Sequence, residues 1–254
     1  MCEKDGNPRF IRLGGAGTSV GFELELLHAD GCDSIEEFHA DYARYPLARG
    51  FLGAIKEDGS VRGAEFVTHP ATLAEHRKRL PELLMMLRES GFYAEGAASG
   101  LHVHIGREVF AEIGENKGIP RLLAYGVFGG APWNALQRRV MGRVGREWAG
   151  AGLPGTDVPA GFAERLKLAE SWADTWDGEK FTRVNLQHGA TLEFRQGTAS
   201  TQVARVLGRI EFALGLCEYA VGAPWAQDLP EAEVANFLGF LEDKGYTAAL
   251  SRAR

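Results

Sequence analysis

Four short segments of this chain alternate apolar residues with polar residues that can bind metals or anions. The segments are Gly21–Leu26, Gly100–Ile105, Arg183–Leu186 and Thr191–Arg195. This alternation predicts β-strands, in which residues i and i+2 project from the same face, roughly 6.5–7 Å apart. One face of each predicted strand is therefore apolar, and the other carries carboxylates, imidazoles or guanidinium groups.

The two faces make different predictions. The intervening apolar residues are expected to face a core: Phe22, Leu24, Val103, Val184, Leu192 and Phe194. The polar face is expected to carry Glu23, Glu25, His102, His104, Arg183, Asn185, Glu193 and Arg195. A surface that serves only solubility has no need to collect acids, histidines and arginines in pairs on strands. We therefore predict a metal-and-anion site on one face of a sheet.

Each pair also has a simpler interpretation. Glu23 and Glu25 repel each other unless a cation lies between them, and Mg²⁺ prefers such oxygen ligands, but a solvent-facing strand can also carry two acids. The two histidines can be satisfied side chains on a polar sheet face. Glu193 and Arg195 can form a cross-strand ion pair worth about 0.2–1 kcal/mol if it is exposed. The joint occurrence of the pairs favours a site.

Composition restricts the function classes. The chain has 254 residues and a formal net charge of -6, so it has no basic excess for binding nucleic acid as its main activity. Its three cysteines (Cys2, Cys32 and Cys217) are widely spaced, which is typical of a reducing cytoplasm. Neither a signal peptide nor an apolar stretch of the ~20 residues that a membrane span requires is evident. We expect a soluble, cytoplasmic protein with a single domain over residues 1–254.

The remaining pattern predicts an α+β fold. The first segment extends to a strand over residues 20–27, and Ile55–Thr68 indicates a hairpin with Asp58-Gly59 as its turn. Apolar residues at helical spacing predict a helix from about Thr72 to Ser90, which Pro81 is expected to kink or divide. Helices packed on the apolar face of a largely antiparallel sheet would complete the fold.

Further helices and a loop are predicted nearer the C-terminus. Pro120 and Pro159 are expected in the first turns of two helices. The glycine-rich segment 142–161 is expected to be a long loop. Apolar periodicity predicts two more amphipathic helices after the last strand, through Val203–Cys217 and Val234–Leu241.

The order of these motifs resembles a known family. The motifs are Gly-Phe-Glu-Leu-Glu (21–25), Glu-Asp-Gly-Ser-Val (57–61) followed by Glu65-Phe66-Val67, Ser-Gly-Leu-His-Val-His (99–104), Arg183-Val-Asn185 and Thr-Leu-Glu-Phe-Arg-Gln-Gly-Thr (191–198). Together they resemble the amidoligases, carboxylate–amine ligases related to glutamate–cysteine ligase and glutamine synthetase. The resemblance extends from about residue 20 to residue 220. It implies the glutamine-synthetase catalytic fold, a curved, mainly antiparallel sheet that binds ATP and metal ions on its concave face.

The resemblance also implies roles for individual residues. Mg²⁺ or Mn²⁺ ions would be bound by five ligands in two groups, Glu25 and Glu65 at one metal and Glu23, His102 and Glu193 at a second. The remaining positions give His104 near the ATP phosphates, and Arg183, Arg195 and Asn185 as candidate catalytic residues. The two arginines would lie near the transferring phosphoryl group or the carboxylate substrate. The chain is shorter than glutamine synthetase and has no recognisable counterpart of its ammonia-binding loop, so the amine partner stays open.

The chemistry of such a ligase makes further predictions. Phosphoryl transfer from ATP would activate a small-molecule or peptide carboxylate as an acyl phosphate, which an amine then attacks. Residues 142–161 would close over the site and exclude water. The five predicted metal ligands should converge within roughly 10 Å of a shared centre, as a two-metal site requires, with Arg183 and Arg195 beside it.

Two other functions stay open. The first is a cupin-like metal site, because His102, His104 and Glu108 nearly reproduce the His-x-His-x3-Glu core of the first cupin motif. The second cupin motif is not recognisable, since His188 is the only downstream histidine and its neighbours do not fit. The second alternative is a non-catalytic binding module on a ligase fold.

Overall fold

A computed structural model describes most of the chain. The described residues are 10–28, 44–57, 62–95, 99–142, 159, 161–174, 183–222 and 230–254. They fall into two compact units, the first containing Met1–Val103 and Gly197–Leu207, and the second containing His104–Gln196 and Gly208–Arg254. The expectation of a single domain stays a prediction. Cys2, Cys32, the Asp58-Gly59 turn and most of segment 142–161 lie outside the described residues.

Seven strands and eight α-helices lie in the described part of the chain. The strands are β1 Val20–His28, β2 Leu52–Glu57, β3 Gly63–Thr68, β4 Phe92–Tyr93, β5 Gly100–Gly106, β6 Val184–Asn185 and β7 Thr191–Thr198. The helices are α1 Pro46–Arg49, α2 Leu73–Glu89, α3 Glu115–Gly126, α4 Gly130–Met141, α5 Phe162–Asp174, α6 Val203–Gly222, α7 Pro230–Asp243 and α8 Thr247–Ala253. A 3₁₀ helix spans Arg107–Phe110. The α+β class and the antiparallel pairing are confirmed, whereas the glutamine-synthetase-like assignment stays a prediction.

The first unit contains the predicted hairpin. β2 and β3 pair antiparallel, and β3 pairs antiparallel with β1, which gives the order β2-β3-β1-β5. β4 pairs antiparallel with the end of β1. Burial alternates along β1, with Phe22 and Leu24 buried and Glu23 and Glu25 on the more exposed face. The two-residue period predicted for this strand is therefore confirmed.

Helix α2 follows the sequence signals at both ends. The Thr72 side chain caps the first turn by accepting a hydrogen bond from the Glu75 backbone N–H at 3.4 Å. Gly91, at φ +79°, follows the C-cap in the left-handed region that favours glycine. Pro81 does not divide this helix, because α2 continues through it, and the expected kink stays a prediction. Because proline has no N–H, the Arg77 carbonyl loses its donor within the helix. Arg77 and Pro81 are both exposed, so water can satisfy that carbonyl.

The two predictions of a proline in the first turn of a helix are wrong. Pro120 is the sixth residue of α3, which begins at Glu115 after Gly114 at φ +82°. Pro159 lies three residues before Phe162, where α5 begins. Neither proline therefore lies in the first turn of its helix. The two predicted C-terminal amphipathic helices are confirmed as α6 and α7.

The second unit has an aromatic core beneath its helices. The Tyr125 ring stacks on Phe162 with centroids 4.8 Å apart and contacts Tyr219 at 5.2 Å. Trp133 and Phe237 pack at 5.2 Å and are both fully buried. Aromatic pairs of this kind add about 0.5–1.5 kcal/mol beyond the burial of their area. No helix in the described ranges combines the length and apolar character needed to cross a bilayer.

A buried histidine makes the stability of the first unit depend on pH. His76 of α2 is fully buried, packs on Phe22 and Phe51 with centroids 5.7 and 5.0 Å away, and lies 2.8 Å from the Val20 carbonyl oxygen through Nε2. Burial lowers the pKa of His76 to about 4 from its usual 6.5. The unfolded chain therefore binds this proton more readily between those two values.

We expect the free energy of unfolding to fall as the pH drops from 6.5 towards 4, and the His76→Leu variant to lack this component. Between pH 7 and pH 5 the wild type should lose about 2 kcal/mol more than the variant. Urea unfolding of the wild type and the variant at both pH values measures the difference. The other histidines are present in both proteins, so their contributions cancel. Equal losses would show that His76 makes no contribution to the pH dependence.

Candidate functional site

In the first unit, two carboxylates lie directly opposite each other on adjacent antiparallel strands. Glu25 of β1 is in register with Glu65 of β3. Side chains in such positions have Cβ atoms about 4.5–5.5 Å apart, and like charges there are destabilising unless a cation offsets them. Lys56 of β2 is one such cation, since it is in register with Glu65 and its Nζ lies 3.0 Å from the Glu65 Oε1.

Strand β5 adds a histidine and a close backbone approach to these acids. The His102 Nδ1 lies 3.4 Å from the Glu23 Oε2, and its Nε2 lies 3.7 Å from the Glu25 Oε1. His102 is buried, and the Glu25 side chain is 12% exposed. These separations are longer than the ~2.7–3.2 Å of ordinary N–H···O hydrogen bonds, and they bring the imidazole beside both carboxylates. Such a set of oxygen and nitrogen donors is suited to a divalent cation.

Gly100 allows Glu25 to reach this position. The Gly100 backbone N–H donates to the Glu25 Oε2 at 2.7 Å. A Cβ at this residue would lie only 2.4 Å from that oxygen and 3.2 Å from the His102 Nε2. A side chain at this position of the Ser-Gly-Leu-His-Val-His motif would therefore displace the Glu25 carboxylate.

The second unit contains the other predicted site residues, arranged around a buried carboxylate. Glu193 is 1% exposed and is in register with Asn185, whose Nδ2 donates to its Oε2 at 2.7 Å. Arg195 forms an ion pair with the other oxygen, Oε1, through Nη1. The ion pair considered from the sequence is therefore present, but it joins residues i and i+2 on one face of β7.

Two histidines approach the same carboxylate. The His188 Nε2 lies 3.1 Å from the Glu193 Oε2, and its ring contacts His104 edge-on at 5.3 Å. A ring nitrogen of His104 and a carboxylate oxygen of Glu193 lie within 4.8 Å of each other. His104 also has its Nδ1 3.4 Å from the Thr191 hydroxyl. A carboxylate offers about four lone-pair positions, so Glu193 can accept from several of these donors at once.

The loop that carries His188 is held by one arginine. Arg107 donates from Nη2 to the Leu186 carbonyl at 2.7 Å, and from Nε to the His188 carbonyl at 3.1 Å. Its Nη1 pairs with Glu115 at 2.7 Å. His188 lies outside any strand, so the alternating pattern could not place it beside Glu193. Glu108, the acid of the cupin-like motif, is an exposed residue of the 3₁₀ helix.

Arg183 lies on the same side of the β6–β7 pair but has a different partner. The backbone N–H of Arg195 donates to the Arg183 carbonyl at 3.1 Å, which continues the β6–β7 register by one residue. The Arg183 side chain is buried, and its Nη1 donates to the Asn134 Oδ1 of α4. Burial first, and the charge of Arg138 second, lower the pKa of Arg183. Asn134 carried no signal in the sequence because its helix is distant from the motifs along the chain.

The structure therefore brings the predicted residues together in two groups. Glu23, Glu25, Glu65 and His102 form the group in the first unit, and His104, Arg183, Asn185, Glu193 and Arg195 form the group in the second. The predicted convergence of all five metal ligands on a single centre stays a prediction. The structure adds four residues in contact with these groups that the sequence analysis did not assign to the site: Lys56, Gly100, Asn134 and His188. The chain is thus an α+β protein with two groups of polar residues. The group in the first unit is a candidate cation site, and the arginines of the second unit are candidates for binding an anion.

Comparison with known proteins finds distant structural similarity only. No protein-family model matches the chain, and no curated protein matches it. Among solved structures, the chain is similar to one from the crystal structure of the complex between Prokaryotic Ubiquitin-like Protein Pup and its Ligase PafA. The match has a TM-score of 0.40 and 11% sequence identity, and covers 80% of this chain and 46% of that chain. This chain therefore matches less than half of the other, and a similarity at this level assigns neither a fold family nor an activity.

Proposed function

We propose that this chain is an ATP-dependent carboxylate–amine ligase that forms an amide through an acyl phosphate. The observation that carries the proposal is the first-unit group, in which Glu25 faces Glu65 across two strands and His102 approaches Glu23 and Glu25. Facing carboxylates of this kind favour a divalent cation. The order of motifs that resembles the amidoligases supports the same function.

The metal ligands of the proposed site are the five predicted residues. Mg²⁺ or Mn²⁺ would be bound by Glu25 and Glu65, and a second ion by Glu23, His102 and Glu193. Metal ions in such a site neutralise phosphate charge and align the reacting groups. Glu65 must exchange Lys56 for the ion, which is possible because the Lys56 side chain is 46% exposed and can move into solvent.

The remaining residues act on the substrates. His104 is proposed to contact the ATP phosphates, while Arg183 and Arg195 bind the transferring phosphoryl group or the carboxylate. Asn185 is proposed to hold Glu193 in place through the hydrogen bond from its Nδ2. The substrates are small-molecule or peptide carboxylates and amines. A screen of carboxylate and amine pairs for ADP release would identify them. Residues 142–161 remain the proposed lid.

Binding of ATP is expected to require a divalent cation. In isothermal titration calorimetry, the full chain should bind a non-hydrolysable ATP analogue with Mg²⁺ or Mn²⁺ present and should lose that binding in EDTA. The melting temperature should rise with the analogue and metal together, because a ligand that binds only the folded state stabilises it. Absence of any metal-dependent nucleotide binding would exclude the ligase function. Tight binding of iron without nucleotide would instead favour the cupin-like alternative.

A glycine substitution tests whether Glu25 belongs to the metal site. Gly100→Ala should weaken metal-dependent binding of the analogue about tenfold or more, because the added methyl displaces the Glu25 carboxylate. Gly15→Ala is the matched control, since a Cβ there has no heavy atom within 4 Å, and it should leave binding unchanged. Wild-type affinity in a folded Gly100→Ala protein would remove Glu25 from the site.

A further inference from the structure

Arg183 is a buried cation whose described contacts include no acid. It is 4% exposed, its Nη1 donates to the neutral Asn134 amide, and its Nε has no hydrogen-bond partner among the described residues. Burial removes water from a permanent charge, so proteins ordinarily place a carboxylate beside a guanidinium in such a position. Arg195, in the next strand, shows the usual arrangement because Glu193 offsets its charge.

A second arginine lies on the helix that contacts Arg183. Arg138 is exposed and follows Asn134 by four residues on α4, so both project from the same face of that helix. Burial first, and the charge of Arg138 second, lower the pKa of Arg183. A buried guanidinium with no acid among its described contacts, and a second arginine one turn further along the contacting helix, favour an oxyanion.

We propose that Arg183, Arg138 and Asn134 form an oxyanion subsite in the second unit, which binds a carboxylate or a phosphate group. Arg183 supplies the buried donor, and guanidinium geometry suits the two oxygens of either group. Asn134 positions Arg183 through its Oδ1, and Arg138 adds charge at the exposed side. The role of this subsite in catalysis rests on the proposed function. Its binding of anions does not, because that binding requires neither nucleotide nor metal.

The direct test is calorimetric titration of the full chain in EDTA, without nucleotide. Inorganic phosphate and glutarate serve as separate probes, so that the experiment identifies the group that binds. Arg183→Gln should weaken binding about 10- to 100-fold, the usual worth of hydrogen bonds to a charged group. Arg138→Gln should weaken it about two- to fivefold, as for an exposed charge. Arg205→Gln, which removes an exposed arginine of α6 in the first unit, is the matched control and should have no effect.

Asn134→Asp distinguishes a binding role of Arg183 from a structural one. The new carboxylate would offset Arg183 from within the protein, so the melting temperature should rise while anion binding weakens to the level of Arg183→Gln. Arg183→Gln itself should melt no lower than the wild type in anion-free buffer, because it removes an uncompensated buried charge. The proposal is overturned if the wild type binds neither probe, or if Arg183→Gln or Asn134→Asp binds them as tightly as the wild type. The anion titration uses neither metal nor nucleotide, so its outcome does not depend on whether the chain binds ATP.

Discussion

Replacing Arg195 with lysine is expected to lower turnover by about 10²–10³ while the protein stays folded. Arg195 forms an ion pair with the buried Glu193 through Nη1, and its Nε has no hydrogen-bond partner among the described residues. A planar guanidinium can hold Glu193 with one nitrogen and offer others to a phosphoryl oxygen. Lysine retains the charge and the ion pair but lacks that second set of donors.

The measurement separates turnover from binding and from stability. Metal-dependent ATP hydrolysis without an amine serves as the assay until the ADP-release screen gives a substrate pair. For Arg195→Lys, kcat should fall, KM for ATP should change little, and the melting temperature should remain within a few degrees of the wild type. An Arg→Lys change at the exposed Arg205 should leave all three unchanged. A lysine variant with normal turnover would reduce Arg195 to a structural partner of Glu193.

The strand-based part of the site could be predicted because alternation is a local rule. Whether Glu23 and Glu25 share a face depends only on their spacing within β1, and the burial of Phe22 and Leu24 beside them follows from the same rule. The corresponding prediction for β7 is confirmed, where Leu192 and Phe194 are buried. For these residues, knowing that the segment is a strand is sufficient.

The partners of these residues could not be predicted because they depend on register and on packing between distant elements. Lys56 reaches Glu65 only because β2 and β3 pair in one particular register. Asn134 reaches Arg183 from a helix 49 residues earlier in the chain. His188 lies in a loop whose position is determined by Arg107. A local sequence pattern cannot predict contacts between residues of such distant elements.

The proline errors have a related cause. A proline is compatible with the first turn of a helix, but it does not by itself begin one. In α3 the chain begins the helix at Glu115, and Pro120 is then accommodated within it as a buried residue. Sequence reasoning therefore recognised the helix and misplaced its start.

A buried ion pair in the second unit was also absent from the sequence analysis, although it has a large expected effect on stability. Arg165 of α5 and Glu233 of α7 pair through Nη2 and Oε1, and both side chains are fully buried. The Trp133 Nε1 donates to the Glu233 Oε2 at 3.2 Å, and the Arg165 Nη1 donates to the Gly129 carbonyl at 3.3 Å. Their residues are 68 positions apart, so each looks like an ordinary charged residue of an amphipathic helix.

Arg165→Met is expected to lower the free energy of unfolding by about 3–5 kcal/mol, because it leaves the Glu233 carboxylate buried without a counter-charge. For a chain of this size the melting temperature should fall by roughly 10 °C. The double variant Arg165→Met/Glu233→Leu should recover most of this loss, since it removes both charges and replaces them with apolar groups. Thermal and urea unfolding of Arg165→Met, of Glu233→Leu and of the double variant measure the coupling free energy between the two residues. A double variant no more stable than Arg165→Met would show that the cost comes from packing rather than from the unpaired charge.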